Sequence, residues 1–360
     1  MKPTYAYPAS FCPPTYGHLH TLVKAAELFP EVTLVCSVNQ GKNDSWFNPE
    51  ESKALWQSYS LPPNATVKTF DELARENLAM SSIVMIRGIR DENDAEYEKK
   101  VMLFNKERFG IEKYVYLFSS EQFKHISSSM ARDAASRLDF EELAGYVSPL
   151  VVSKLLERVL GIHRLFIVVG RPGCGKSTFL RALVEKSRNN VWVNTDDFNH
   201  RLRPLLVSAF GQSDLVEIAL TREEELKKVI AKSWMGLLAE SLRSQPKGSN
   251  VFVEVPFGMQ LDKMMFRFLG GQIIHVGCDK KESTSRVVAR GTPQHLAFMD
   301  RIPDLAKTKE MAKEYRLSVF SIVTNGSLAA LNDRVDKFDH WLNEEDDKWK
   351  TFSPASCLDI

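Results

Sequence analysis

The chain has 360 residues, and its 47 lysines and arginines almost balance its 46 aspartates and glutamates. That balance argues against a protein that coats nucleic acid or an anionic membrane, and a hydrophobic content of 44% argues against wholesale disorder. No secretory signal, no apolar run of the ~20 residues that cross a bilayer and no Cys-x-x-Cys pair is visible. We therefore expect a cytoplasmic protein of about two domains, without nucleic-acid or membrane partners.

The first half alternates β-branched and aromatic runs with helical periodicity, which is typical of β–α–β units and a parallel sheet. Between its first two strands, leucine, alanine and phenylalanine recur every three or four residues, which predicts a helix that ends at Phe29 and Pro30. The predicted strands are Thr4–Tyr7, Thr33–Val38, Thr66–Phe70, Ile83–Ile86 and Tyr114–Phe118.

The second half begins with Leu165–Val169, a continuous apolar strand of the kind that is buried on both faces of a parallel sheet. The later predicted strands are Val191–Val193, Asn250–Val255, Gln272–Val276 and Val319–Val323. The predicted fold class is α/β, with two parallel-sheet domains over residues 1–160 and 161–343 that meet near residues 158–164. We expect the polar residues 344–360 to form a frayed tail.

The loop after the first strand carries Thr15, Gly17 and His18. Ligands of parallel α/β sheets bind beyond the carboxyl ends of strands, and a helix that begins near Gly17 would aim its free amides at an anion there. Lys42 follows the second strand, residues 87–90 (Arg-Gly-Ile-Arg) follow another, and residues 126–129 (Ile-Ser-Ser-Ser) precede a helix. Together these segments predict a polyphosphate pocket.

The three motifs, Thr15–His18, Arg87–Arg90 and Ile126–Ser129, occur in an order that resembles the phosphopantetheine adenylyltransferase family over residues 3–160. The resemblance implies a Rossmann-like nucleotidyltransferase fold. It also implies transfer of AMP from ATP to 4′-phosphopantetheine, which gives dephospho-coenzyme A and pyrophosphate.

The resemblance also implies roles for single residues. His18, Lys42 and Arg90 would be catalytic, with His18 donating to the α-phosphate in the transition state. Lys42, Arg87 and Ser10 would hold the phosphate of phosphopantetheine, and Ala74 would face its pantetheine arm. The implied ATP-binding residues are Ser10, Phe11, His18, Gly88, Arg90, Glu98, Ser127, Ser128 and Ser129.

Two residues of the first loop depart from the family pattern. Ala9 stands where the family has glycine, and Cys12 stands where it has aspartate. Alanine restricts the backbone angles and cysteine removes a carboxylate acceptor, so we expect an altered loop geometry.

A second phosphate motif lies at residues 170–177, which fit Gly-x-x-x-x-Gly-Lys-Ser between an apolar strand and a helix. Its amides would wrap the β-phosphate, Lys176 would bridge the β- and γ-phosphates, and Ser177 would bind the Mg²⁺ that accompanies ATP. Arg286 and Arg290 lie four residues apart on a predicted helix and could close over the phosphates. The predicted ATP-binding residues here are Gly170, Gly173, Gly175, Lys176, Ser177, Thr178, Arg286 and Arg290.

The residues after the second strand of this half predict how it would bind and activate the molecule that receives the phosphoryl group. Asp196 would act as the catalytic base, and Arg201 would receive an anionic substrate. Residues 164–340 resemble dephospho-coenzyme A kinase, which phosphorylates the ribose 3′-hydroxyl of dephospho-coenzyme A. Four segments show this resemblance. They are the phosphate motif of residues 170–177, Asn194–Asp196 in place of the family's Asp-Ala-Asp, Val253–Pro256, and Arg301–Pro303 together with Asn325–Ser327.

With both resemblances, the chain is similar to bifunctional coenzyme A synthase. This implies ATP, 4′-phosphopantetheine and dephospho-coenzyme A as its small-molecule partners. One alternative is a nicotinamide mononucleotide adenylyltransferase fused to a ribosylnicotinamide kinase. Another is a nucleotide sensor with one inactive half, which the departures at Ala9, Cys12 and Asn194 suggest. The sequence leaves the oligomeric state open, a homo-oligomer included.

Overall fold

The computed structural model describes residues 3–38, 46–76, 82–255, 263–299, 301–344 and 357–359. The chain divides into two compact units between Val151 and Val152. No helix in the described ranges is long and apolar enough to span a membrane.

The first unit contains a five-stranded, all-parallel sheet in the order β3-β2-β1-β4-β5. Its strands are β1 (Thr4–Ala9), β2 (Val32–Cys36), β3 (Ala65–Thr69), β4 (Ile83–Ile89) and β5 (Lys113–Phe118). Its helices are α1 (Tyr16–Leu28), α2 (Pro49–Trp56), α3 (Phe70–Ala74), α4 (Glu92–Phe109), α5 (Ser128–Arg137) and α6 (Phe140–Tyr146). Helix α7 (Pro149–Leu160) contains the division between the units.

The second unit contains a six-stranded, all-parallel sheet in the order β11-β10-β9-β6-β8-β7. Its strands are β6 (Arg164–Val169), β7 (Asn190–Asn194), β8 (Asn250–Glu254), β9 (Gln272–Gly277), β10 (Val319–Val323) and β11 (Cys357–Asp359). Its helices are α8 (Lys176–Lys186), α9 (Asn199–Phe210), α10 (Leu215–Thr221), α11 (Glu223–Arg243), α12 (Lys263–Leu269), α13 (Lys280–Ala289), α14 (Leu305–Glu314) and α15 (Leu328–Glu344).

Buried aromatic side chains form the core of the second unit. Phe166 of β6 and Phe252 of β8 stack with their ring centroids 4.8 Å apart, and Phe338 of α15 meets Phe166 edge-on at 5.9 Å. All three are fully buried. The packing of α15 on this face fixes β6, so the loop after β6 begins from a rigid strand.

The predicted α/β class with two parallel sheets is confirmed, and every predicted strand is present with its ends shifted by at most three residues. The expectation of a frayed tail is wrong for Cys357–Asp359, which pairs in parallel with β10 as the edge strand β11. An edge strand requires backbone hydrogen bonds on one side alone, so three residues of the tail suffice to form it.

Candidate functional site

A cleft of about 680 Å³ opens in the first unit where β1 and β4 end and where α1 and α5 begin. The sheet order reverses between β1 and β4, and ligands of open α/β sheets bind at such a switch point. The predicted residues that line the cleft are Ser10, His18, Arg87, Gly88, Arg90, Glu98, Ser127, Ser128 and Ser129. Motifs more than a hundred residues apart in sequence therefore face one cleft.

His18 is fixed at the edge of the cleft by the first turn of α1. Thr15 is the buried N-cap residue, and its backbone N–H donates to Nδ1 of His18 over 3.1 Å. Nδ1 is therefore an acceptor, so the neutral ring carries its proton on Nε2. Phe11 packs edge-on against the ring at 5.1 Å. The capping box thus makes His18 a hydrogen-bond donor through Nε2.

Gly17 allows α1 to approach the segment before α5. A Cβ atom on Gly17 would lie 2.9 Å from the carbonyl oxygen of Ile126, which is backbone and cannot swing away. Ser128 ties the same two segments together, because its Oγ donates to the carbonyl of Pro13 over 2.8 Å. The glycine of the first motif therefore sets the distance between His18 and the serine turn.

We expect Gly17→Ala to lower the free energy of unfolding by about 1–3 kcal/mol, because the new methyl group overpacks this contact. Gly145→Ala is the matched control, since Gly145 lies in α6 with no atom within 4 Å of its added Cβ. Alanine is a better helix former than glycine, so the free energy of unfolding of the control variant should rise by about 0.5–1 kcal/mol. Urea unfolding of both variants is the measurement, and equal stabilities would contradict the close approach.

Arg87 is held by a buried carboxylate. Its Nε and Nη2 donate to the two oxygens of Glu98 over 2.7 and 2.6 Å, and its Nη1 donates to the carbonyl of Pro8 over 2.6 Å. Burial alone would lower the pKa of Arg87, but the hydrogen bonds and charge of Glu98 outweigh it and raise the pKa. Glu98 therefore positions Arg87 in the cleft.

We expect Glu98→Gln to destabilise the protein by about 3 kcal/mol, because it leaves the buried Arg87 without a counter-charge. The KM of an anionic substrate that Arg87 binds should rise as well, because Arg87 loses the carboxylate that positions it. Glu121→Gln is the control, because Glu121 forms an exposed pair with Lys124 that is worth about 0–1 kcal/mol. Thermal unfolding and initial rates are the measurements, and a stability equal to the control's would show that the pair does not hold Arg87.

Arg90 and Arg132 add two guanidinium groups to the cleft. Arg90 makes a bidentate pair with Asp94, at 2.7 and 2.9 Å, which holds the pKa of Asp94 below its usual value. Arg132 donates to the carbonyl of Cys12 and to Oγ of Ser129. The sequence prediction missed Arg132, although its spacing of three and four residues from Ser129 and Ser128 places all three on one face of α5.

Two of the predicted residues that the structure describes do not line the cleft. Phe11 is buried, and Ala74 lies exposed at the end of α3. Lys42 lies outside the described residues.

The first loop accommodates its two unusual residues. Ala9 ends β1 in extended backbone, paired with Cys36, and Phe11 has a left-handed backbone conformation with φ 42°. The Sγ atom of the buried Cys12 accepts the backbone N–H of Phe47 over 3.3 Å. The alanine therefore meets no backbone strain, and the thiol takes over an acceptor role.

Comparison with known proteins places the first unit in a family. The model of the cytidylyltransferase-like family matches residues 6–134. A phosphopantetheine adenylyltransferase of Rhodopirellula baltica is 36% identical over 152 residues, which are 41% of this chain and 84% of the relative. The chain belongs to the phosphopantetheine adenylyltransferase family.

Two further proteins are similar to this chain. A phosphopantetheine adenylyltransferase of Aquifex aeolicus is 35% identical over 160 residues, covering 44% of this chain and 97% of the relative. The solved structure of the Thermus thermophilus protein TT1252 aligns with a TM-score of 0.38 at 21% identity, covering 50% of this chain and 97% of that one.

The second unit of this adenylyltransferase-family chain carries its predicted phosphate loop between β6 and α8. Gly170, Gly173 and Gly175 all have positive φ. At Gly173 two features require glycine. Its φ of 74° is left-handed, and a Cβ there would lie 2.4 Å from the carbonyl oxygen of Ser283. Thr324 donates from Oγ1 to the carbonyl of Cys174 and supports the loop from the end of β10. The loop is a tight backbone turn, with Ser177 and Thr178 in the first turn of α8.

Lys176 lies beside Glu254, a buried residue at the end of β8 to which the sequence prediction gave no role. Lys176 donates from Nζ to the carbonyl of Gly170 over 3.0 Å, and the same Nζ lies 3.8 Å from Oε1 of Glu254. Burial and the charge of Asp196 raise the pKa of Glu254, and Lys176 opposes them. The sequence of the segment Val253–Pro256 does not indicate that Glu254 lies beside Lys176. The register of β8 against β6 brings the two residues together.

The remaining predicted residues of the second unit lie at different distances from the loop. Asp196 is exposed on the turn Thr195–Phe198, close enough to Glu254 to affect its pKa. Arg286 reaches the carbonyl of Gly173 over 3.4 Å, whereas Arg290 caps α13 at the surface. Arg201 makes a bidentate pair with Glu240 that joins α9 to α11.

Proposed function

We propose that the first unit transfers the adenylyl group of ATP to 4′-phosphopantetheine. The observation that carries the proposal is the cleft at the switch point, where His18, two arginine–carboxylate pairs and the serine turn before α5 face one space. The family relatives named for this activity support the acceptor.

The proposed reaction needs alignment rather than a strong base. A phosphate oxygen of the acceptor attacks the α-phosphorus of ATP, the bond from that phosphorus to the bridging oxygen breaks, and pyrophosphate leaves. The attacking oxygen is already ionised, so no proton has to be removed. His18 would donate from Nε2 to an α-phosphate oxygen, and the free amides of α5 with Arg90 would hold the outer phosphates.

The second unit is proposed to transfer the γ-phosphoryl group of ATP to the 3′-hydroxyl of dephospho-coenzyme A. Lys176 would neutralise charge on the transferred group, and Asp196 would accept the hydroxyl proton as the new P–O bond forms. Arg286 would lie over the phosphates, since it already contacts the loop at Gly173. In this scheme the product of the first unit is the substrate of the second.

The residues around the loop fit the Mg²⁺ that accompanies ATP. The Oε2 atom of Glu254 is buried and makes no hydrogen bond within the described structure, and Ser177 lies close enough to lower the pKa of that carboxyl. No cluster of three or more His, Cys, Asp or Glu side chains occurs among the described residues, which suits a cation held largely by nucleotide phosphates. Ser177 and Glu254 would hold it, and the ion would neutralise charge on the transferred phosphoryl group.

Incubation with 4′-phosphopantetheine and Mg·ATP, followed over time by mass spectrometry, tests both steps. We expect dephospho-coenzyme A first and coenzyme A later. In parallel reactions, adenylylation of nicotinamide mononucleotide with no reaction of phosphopantetheine would favour the nicotinamide alternative. ATP binding without turnover at one unit would favour a sensor.

A further inference from the structure

Thr324 is a buried polar residue directly after β10, and the sequence prediction gave it no role. It is 4% exposed, and its backbone N–H donates to the carbonyl of Gly277 at the end of β9 over 2.8 Å. Burial of a hydroxyl group is costly unless the group makes hydrogen bonds, so its partners indicate what it holds. The partners of this hydroxyl belong to the phosphate loop and to Arg286.

The hydroxyl group of Thr324 holds the phosphate loop. Its Oγ1 donates to the carbonyl of Cys174, which is itself buried. The loop lies close to this oxygen, because a Cβ atom added to Gly175 would be 3.3 Å from it. Both loop residues directly precede Lys176 in the chain, so Thr324 fixes the backbone from which the lysine side chain starts.

Thr324 also binds Arg286, the arginine of the proposed phosphate site. Nη2 of Arg286 donates to the carbonyl of Thr324 over 3.1 Å, and its Nη1 lies 3.4 Å from Oγ1 of Thr324. The hydroxyl group therefore directs its proton to the loop and a lone pair to the arginine. One buried side chain thus connects the loop with Arg286.

The residue after Thr324 holds the helix that carries Arg286. Oδ1 of Asn325 accepts the backbone N–H of Asp279 over 2.8 Å, and Asp279 is the N-cap residue of α13. Two consecutive residues at the end of β10 therefore hold both the phosphate loop and α13.

We propose that Thr324 is a positioning residue for phosphoryl transfer, which joins the phosphate loop and Arg286 into one rigid site. This role rests on the proposed kinase activity of the second unit. Lys176 and Arg286 would both act on phosphate oxygens of ATP, and a shift of about 1 Å in such a group can slow a reaction by about 10²-fold. Thr324 would therefore affect the rate without contacting ATP.

Thr324→Val tests this role, because it keeps the shape of the side chain and leaves the buried carbonyl of Cys174 without its donor. We expect kcat/KM for Mg·ATP to fall about tenfold in the conversion of supplied dephospho-coenzyme A, with the KM of dephospho-coenzyme A unchanged. Thr324→Ser keeps the hydroxyl group and should restore most of the activity.

Thr221→Val is the matched control. The exposed hydroxyl group of Thr221 donates to the carbonyl of Glu217 within α10 over 2.8 Å, so this variant also loses a hydroxyl–carbonyl hydrogen bond. We expect it to keep full activity. If the valine variants at both positions are equally active, Thr324 does not position the site.

A double variant separates positioning from a general loss of stability. If Thr324 acts in part through Arg286, the effects of Thr324→Val and Arg286→Ala overlap. The double variant should then lose severalfold less activity than the product of the two single losses. Losses that simply multiply would overturn the connection to Arg286.

Hydrogen exchange measured by mass spectrometry tests the hold on the loop without any substrate. We expect faster exchange at the amides of residues 171–178 in Thr324→Val, and unchanged exchange there in Thr221→Val. If Thr324→Val does not fold, Thr324→Ala and Thr324→Ser carry the same comparison, since they differ only in the hydroxyl oxygen. Unchanged exchange in the loop would overturn the proposal. Faster exchange in a chain whose unaltered form transfers no phosphoryl group would instead refute the proposed function.

Discussion

Replacement of His18 by alanine should slow adenylyl transfer by about 10²–10³-fold, the usual effect of removing one preorganised donor from a developing oxyanion. The reason is geometric, because the Thr15 backbone fixes Nδ1 as an acceptor and leaves Nε2 as the donating atom. Pyrophosphate release in the presence of 4′-phosphopantetheine is the measurement. Phosphorylation of supplied dephospho-coenzyme A should continue at the unaltered rate.

Two amide variants sharpen this prediction. The side-chain nitrogen of His18→Gln can come near the position of Nε2, whereas that of His18→Asn lies nearer Nδ1. We expect the glutamine variant to retain more adenylyl transfer than the asparagine variant. The reverse order would show that Nδ1, and not Nε2, is the donating nitrogen of His18.

Replacement of Lys176 by alanine should reduce phosphoryl transfer by about 10²–10³-fold, because it removes the cation beside the transferred phosphoryl group. It also leaves the buried Glu254 without its positive neighbour at 3.8 Å. Coenzyme A formation from supplied dephospho-coenzyme A and Mg·ATP is the measurement, and adenylyl transfer in the first unit should be unchanged.

Lys186→Ala is the control for the Lys176 variant. Lys186 ends the same helix in a half-exposed pair with Asp336. We expect full phosphoryl transfer in that variant. If the two alanine variants are equally active, the loop does not carry the chemistry.

Short-range features of both sites could be predicted from the sequence. The order of Thr15, Gly17 and His18 after a strand specifies an N-cap and a helix start, and the glycines of residues 170–175 specify a turn that needs positive φ. The apolar run Leu165–Val169 predicted a strand that is buried on both faces, and β6 is buried throughout. In these cases the local sequence determines the local structure.

Long-range pairings could not be predicted in the same way. Glu98 binds Arg87 because α4 lies against β4, and Glu254 meets Lys176 because β8 lies beside β6. No spacing along the chain encodes either pairing, since each depends on how separate elements pack. Arg132 is a different case, because it lies one turn beyond the predicted serines on α5, and helical spacing alone could have identified it.

The first loop, which contains Ala9 and Cys12, shows that tertiary packing can stabilise a residue in an uncommon backbone conformation. The sequence predicted an altered loop. In the structure Ala9 is extended, and the left-handed residue is Phe11, whose ring is buried against Trp56 with centroids 5.1 Å apart. Burial of that ring offsets the cost of the uncommon backbone conformation. These two substitutions therefore give no reason to expect an inactive first unit.

The fate of isotope from ATP tests the two-step proposal most directly. With 4′-phosphopantetheine as acceptor, ATP labelled at the α-phosphorus should place label in dephospho-coenzyme A and then in coenzyme A. ATP labelled at the γ-phosphorus should place label in the released pyrophosphate and in coenzyme A, but not in dephospho-coenzyme A. His18→Ala should slow the labelling of both coenzyme products, because it limits the supply of dephospho-coenzyme A, whereas Lys176→Ala should slow only the incorporation of label from the γ-phosphorus. Label from the γ-phosphorus in the first product, or none from the α-phosphorus, would contradict adenylyl transfer in the cleft.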